Sequence, residues 1–465
     1  MRAGKTGCGS RPTFAACRPH ILRGPAVVSA WLILIVGVLG ARGAQPAASS
    51  TLAASVALDP HPRPIPDRII LTWQADPEAI PAVTWRTDGS VMHAWAEIAP
   101  VTGRDDEIPL GSTGSTTPPT EPAARDSAGL RRLPARTEFL RTEQGAAHYH
   151  SVVFGGLEPG GRYRYRVGSD QGSSAWLSLR TPAESDSSYR FIYLGDAQTD
   201  ILVSWGPLLQ AAVAAAPDAR FILHAGDLVD DGRDDALWAE WFAAGAAIHA
   251  TIPTLPAIGN HEYARRREAP ALPPYWQPHF TLPENGAAGL EETNYYVDHQ
   301  GVRVIVLDSN RRLEEQALWL ARVLADNPNR WTIACFHHPI FSATARRDNP
   351  ELRALWKPLF DEYAVDLVLQ GHDHVYARGR AFVSGADPGT EEQTPAPGSE
   401  RRTERPVYVI SVSGSKMYAL EEQPWMERAG ENIQLYQIIR VEADHLRYEA
   451  YTLAGELFDS FDLAR

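Results

Sequence analysis

Cysteine is almost absent from this chain, with three residues in 465, at positions 8, 17 and 335. That excludes a disulfide scaffold. Positive charge is also short: 44 Lys and Arg stand against 57 Asp and Glu, for a net charge of −13. Such a balance argues against nucleic acid or an anionic membrane surface as the main partner. No internal repeat is apparent. Gly and Pro, 36 of each, are enough for many turns but fewer than low-complexity chains carry. What remains is an ordinary globular composition, 44% hydrophobic and 22% charged, at a length that predicts two or more domains.

The longest apolar run lies near the N-terminus. Arg2, Lys5, Arg11, Arg18 and Arg23 precede an uncharged stretch over residues 24 to 41, and small residues (Ala41, Gly43, Ala44) follow. Residues 1–44 therefore read as an export signal, with a signal anchor as the alternative because the run just reaches spanning length. Export to a periplasm or medium is expected, with membrane association only if this segment is retained. Cleavage would remove Cys8 and Cys17 and leave Cys335 alone, as a small core residue. Residues 45–66, rich in Pro, Ala and Ser, read as a linker.

From residue 67 to 183 short alternating runs broken by Asp-Pro and Asp-Gly turns predict an all-β domain. A Pro-, Thr-, Gly- and Ser-rich stretch between residues 100 and 136 reads as a long loop between its strands. Tyr163 follows the turn Leu157-Glu158-Pro159-Gly160-Gly161, a placement that suits the corner device of immunoglobulin-like sandwiches. The segment resembles a fibronectin type III-like domain. Beyond residue 188 the pattern changes to apolar strand-length runs alternating with helix-length segments, the signature of an α/β core. Residues 382–405 form a polar excursion, and the last thirty or so residues return to strands.

Polar residues gather where the apolar runs stop. Asp196 and Gln198 follow RFIYLG, and Asp227 follows RFILHAG. Asn260, His261 and Glu262 follow LPAIG, and His337 and His338 follow WTIACF. His372, Asp373 and His374 follow VDLVLQG. In open α/β sheets ligands sit at the carboxyl ends of strands, so the five groups are expected to share one crevice. Carboxylate, amide carbonyl and imidazole make a hard-to-borderline donor set suited to Zn, Mn or Fe. They are too many for one tetrahedral ion; two cations sharing a carboxylate account for the count. Such a pair is common apparatus for displacement at phosphorus.

The ordered motifs GD, GD, GNHE (259–262), a His before x-Pro, and GHDH (371–374) resemble the calcineurin-like metallophosphoesterase superfamily. With a β-sandwich in front, the chain is similar to purple acid phosphatases. The resemblance implies a four-layer α/β/β/α sandwich in the second domain. It also implies that Asp196 and His374 hold a first metal, that Asp227 bridges, and that Asn260, His337 and His372 complete a second. His261 would be the catalytic residue, as proton donor or phosphate contact. Water deprotonated by the two cations would attack a small phosphate ester, with no nucleic acid involved. The chain departs from that pattern at three points. Asp230 replaces the tyrosine expected three residues after the bridging Asp, which puts a ferric, purple centre in doubt. Gln198 stands where the superfamily's other branch has a His; Gln198, Asp230 and Glu262 are candidates for metal contact or for support of the ligands. Arg346 and Arg347 replace further histidines and are candidate phosphate contacts. Lys416, after the last apolar run of the α/β pattern, also can face phosphate but stays outside the candidate site. A phosphodiesterase with the same metals, and a non-catalytic surface-binding protein, are the rival readings.

Overall fold

The structure is a computed structural model and describes residues 58–75, 79–101, 129–183, 188–263, 272–380 and 406–465. The export signal and most of the linker lie outside the described residues, as do the polar excursion over 382–405 and residues 102–128 of the expected loop. Nine strands come first: β1 (Asp67–Ala75), β2 (Ala79–Asp88), β3 (Trp95–Pro100), β4 (Arg131–Pro134), β5 (Arg136–Thr142), β6 (Gly145–Val153), β7 (Arg162–Ser169), β8 (Gly172–Ser173) and β9 (Leu177–Arg180). They form two sheets, β1-β2-β6-β5 and β4-β3-β7-β8, with β9 paired to β7. Alternation decides the inner faces: Val83 and Trp85 from one sheet meet Ala96, Ile98, Tyr165 and Val167 from the other. The Tyr163 phenol accepts the Glu158 N–H at 2.8 Å, closing the corner. The tail of the expected loop is not loop: β4 spans residues 131–134 in register with β3, and β5 starts at residue 136 against β6, because the neighbouring strands supply the pairing.

The second half adds β10 (Tyr189–Leu194), β11 (Ile222–His224), β12 (Thr254–Pro256), β13 (Tyr295–His299), β14 (Val302–Val306), β15 (Trp331–Phe336), β16 (Leu367–Gln370), β17 (Tyr376–Arg380), β18 (Val407–Ile410), β19 (Met426–Gly430), β20 (Leu435–Val441), β21 (His445–Thr452) and β22 (Leu457–Ala464). Its helices are α1 (Gly206–Ala215), α2 (Asp235–His249), α3 (Trp276–His279), α4 (Leu313–Ala325) and α5 (Pro350–Glu362). Two mixed sheets result, β12-β11-β10-β20-β21-β22 and β13-β14-β15-β16-β18-β17-β19. In the second sheet both faces are apolar. Val304, Val306, Ile333, Cys335, Leu367 and Leu369 point to the first sheet, whereas Ile305, Phe336 and Val368 point to Trp319, Leu320 and Trp356 of α4 and α5. Leu208, Leu209, Trp238 and Trp241 cover the first sheet with α1 and α2. The order is helix, sheet, sheet, helix, which explains the near-continuous apolar strands in the sequence. No described helix is long and apolar enough to cross a membrane.

Buried ion pairs join the front sandwich to α2. Arg68 donates to the Asp235 carboxylate at 2.6 Å and to its carbonyl at 3.1 Å. Arg86 reaches the other Asp235 oxygen at 3.3 Å while its Nε and Nη2 hold Asp67. Trp73 of β1 stacks on His299 of β13, ring centroids 4.6 Å apart. Strands β10, β11 and β12 run parallel, as do β14, β15, β16 and β18. The carboxyl ends of β10, β11, β12, β15, β16 and β18 supply the loops of the site.

Candidate metal centre

Two acceptor groups form where these loops meet. Asp227, His337 and His372 make one, and Asp196, Asp227 and His374 the other, the ligand atoms within each lying within 4.8 Å of one another. Asp227 belongs to both. Asn260 joins the first group, its Oδ1 3.1 Å from His337 Nε2. Four of these residues leave their strands in the left-handed region: Asp196 (φ 45), Asp227 (φ 51), His372 (φ 73) and His374 (φ 43). Non-glycine residues hold that conformation only when their surroundings enforce it. Neighbouring glycines make the room. A Cβ on Gly259 would lie 2.1 Å from Asp227 Oδ1, and one on Gly371 would lie 2.4 Å from Asp196 Oδ2.

Backbone carbonyls fix the imidazoles. His337 Nδ1 lies 2.9 Å from the Ala225 carbonyl, and His374 Nδ1 lies 2.8 Å from that of Lys416. Each carbonyl only accepts, so the proton sits on Nδ1 and Nε2 turns to the centre. There His337 Nε2 meets further acceptors, His372 Nδ1 at 3.0 Å and Asp227 Oδ2 at 3.1 Å. Burial holds the pKa of His374 down to about 4 and that of His372 well below its usual value, so both rings offer lone pairs. Burial opposes charge on His337 too, but Asp227 and Asp196 outweigh it and push its pKa up to about 9. A proton there occupies the place where a cation satisfies all the acceptors at once. Gln198 supplies an independent sign. Its Oε1 is buried without a partner among the described residues, while its Nε2 lies 3.1 Å from Asp227 Oδ2 and 2.9 Å from His374 Nε2, so turning the amide over would present Oε1 to a cation held by those atoms. These residues fit a pair of cations.

The other residues singled out in the sequence divide into supports and rim. Glu262 is fully buried, and its carboxylate accepts from the N–H groups of Asp227, Leu228, Val229 and Gly259. It thereby ties the Asp227 loop to the Asn260 loop. His261 Nδ1 lies 2.6 Å from the Asp230 carbonyl, and its Nε2 is 3.9 Å from Asp227 Oδ2. The Asp230 carboxylate stands at the rim, half exposed and 3.4 Å from His261 Nδ1. Arg347 faces the GHDH turn, donating to Asp373 at 3.1 Å and to the His372 carbonyl at 2.9 Å. Arg346 is exposed. His338 bonds Ser309 at 2.9 Å, and Cys335 is buried between the sheets. Side-chain chemistry in the sequence pointed to none of the carbonyls of Ala225, Lys416 and Asp230, because every residue type carries one.

A carboxylate common to two acceptor clusters, set at the strand ends of paired sheets, is the arrangement of a binuclear metal centre. The calcineurin-like phosphoesterase family matches residues 169–376, and the purple acid phosphatase N-terminal domain matches residues 66–181. The chain thus carries a calcineurin-like phosphoesterase domain behind a purple acid phosphatase N-terminal domain, with the purple acid phosphatase fold. An uncharacterized protein of Mycobacterium tuberculosis is 31% identical over 181 residues, 34% of each chain. A phosphoenolpyruvate phosphatase of Allium cepa is 24% identical over 258 residues, 52% of this chain and 53% of its own. The matches thus span about a third to a half of these relatives. A purple acid phosphatase from yellow lupin seeds shares the fold at a TM-score of 0.67 and 17% identity, covering 86% of this chain and 74% of that one. PhoD does so at 0.57 and 12%, covering 86% and 89%.

Proposed function

We propose that this protein is an exported, binuclear metal-dependent phosphoesterase that hydrolyses small phosphate monoesters in the manner of an acid phosphatase. The observation that carries this reading is the single buried carboxylate of Asp227 shared by two acceptor groups. Asp196, Asp227 and His374, with Gln198, would hold one ion; Asp227, Asn260, His337 and His372 would hold the other. Iron, zinc or manganese suits these donors, and Asp230 in place of a tyrosine removes the phenolate that a purple centre needs. When bound, the pair activates water and neutralises charge developing on the phosphoryl group. The chain's own residues orient the ester. His261, anchored through Nδ1, directs Nε2 into the centre, where in its doubly protonated form it can give a proton to the leaving oxygen or donate a hydrogen bond to a phosphoryl oxygen.

Purified protein offered p-nitrophenyl phosphate and its bis-ester with Mn, Zn or Fe is expected to cleave the monoester faster. Activity should vanish with a chelator and return with metal. Preference for the bis-ester would favour the phosphodiesterase reading, and inertness towards both esters with every metal would revive the binding-protein reading. Asp227→Asn should lower bound metal as well as rate; wild-type metal content in that variant would remove Asp227 from the bridge.

A further inference from the structure

We propose that Lys416 is a specificity-determining residue of this site, an ammonium at the mouth that grips the additional negative charge of a monoester phosphate. The inference rests on the phosphoesterase reading and adds a residue to it. Two separate chains of contact place Lys416 beside the centre, against the outer edges of His374 and His261. Its carbonyl lies 2.8 Å from Nδ1 of His374, so its backbone adjoins one acceptor group. Its Nζ lies 3.8 Å from Asp230 Oδ1, which is itself 3.4 Å from His261 Nδ1, so its side chain crosses to the opposite loop. The loop is braced, since Ser415 Oγ lies 3.0 Å from the Asp200 carboxylate.

At 3.8 Å the ammonium is attracted by Asp230 but lies beyond hydrogen-bond reach of it. The side chain is 30% exposed, open to a ligand yet partly shielded from water. Arg347, the nearby guanidinium, is spent on Asp373 and the His372 carbonyl. An ammonium carries three donors on a flexible stem, and a non-bridging phosphoryl oxygen is a strong acceptor for one of them. A monoester dianion gains most from such a cation. A diester carries one charge and presents a second ester group there, so it gains less. Lys416 thus tilts a centre able to serve both reactions towards monoesters.

The test uses the full-length, metal-loaded protein and inorganic phosphate. Lys416→Met should weaken phosphate binding by calorimetry about tenfold, the loss expected for one charge-assisted hydrogen bond. Lys416→Arg should recover most of it, with metal content unchanged in both variants. In turnover, kcat/KM for p-nitrophenyl phosphate should fall about as far in Lys416→Met, while that for the bis-ester changes less than about twofold. Equal phosphate affinity in wild type and Lys416→Met overturns the assignment, whichever ester is cleaved. Parallel losses on both esters overturn the selectivity. Phosphate binding that depends on Lys416 in a protein inert to both esters would retain the contact and refute the phosphoesterase reading.

Discussion

At the residue scale the centre depends on atoms that hold ligands rather than on ligands alone. Gly259→Ala would push a methyl into Asp227 Oδ1, where only 2.1 Å is available, so metal affinity should fall about 10- to 100-fold, read by metal content after dialysis. Glu262→Gln keeps the shape but puts an NH2 against backbone N–H donors. A loss of about 1–3 kcal/mol is expected in thermal unfolding of the metal-free protein. Most side-chain members of the cluster were readable from the sequence because ligand chemistry limits which residue types qualify. Orientation was not readable: nothing in the letters says that Arg347 turns to Asp373, or that the carbonyl of Lys416 holds His374.

At the scale of elements, hydrophobic period and length located the strands and helices lining the site. It failed where pairing supplied the order. The short strands β4 and β13 owe their form to their neighbours, as does the single-turn helix α3, and propensity over four or five residues is too weak to specify them. Helix α2 shows the same dependence through Asp235. That residue is fully buried in its first turn, where a carboxylate suits the helix dipole, and it is gripped by arginines from β1 and β2. Asp235→Asn leaves two buried guanidinium groups facing a neutral amide. The expected loss is about 3–5 kcal/mol, measurable by urea unfolding. Gain of stability in that variant would mean that the pair costs more in desolvation than it returns.

For the whole molecule, buried histidines make acid a destabilising condition. His299, packed between Trp73 and Tyr189, has neither ring nitrogen bonded among the described residues, and burial lowers its pKa to about 3; His224, in the same core, is likewise held to about 3. Their unfolded forms take up protons near pH 6.5, whereas the folded forms do not. The contribution of these two histidines to stability is therefore full above that pH and drains as pH falls towards 3, by at most about 1.4 kcal/mol per unit for each. His299→Phe should flatten that decline in melting temperature between pH 6.5 and 4; an unchanged slope would show that His299 is protonated in the folded chain. The ion pairs at Asp235 have a consequence for inheritance. Eight residues beyond the shared carboxylate, the chain entrusts its footing to cations encoded before residue 90. A chimera that kept the second-half layers and imported a foreign front domain would have to bring replacements for Arg68 and Arg86, so the halves are a matched pair rather than interchangeable cassettes.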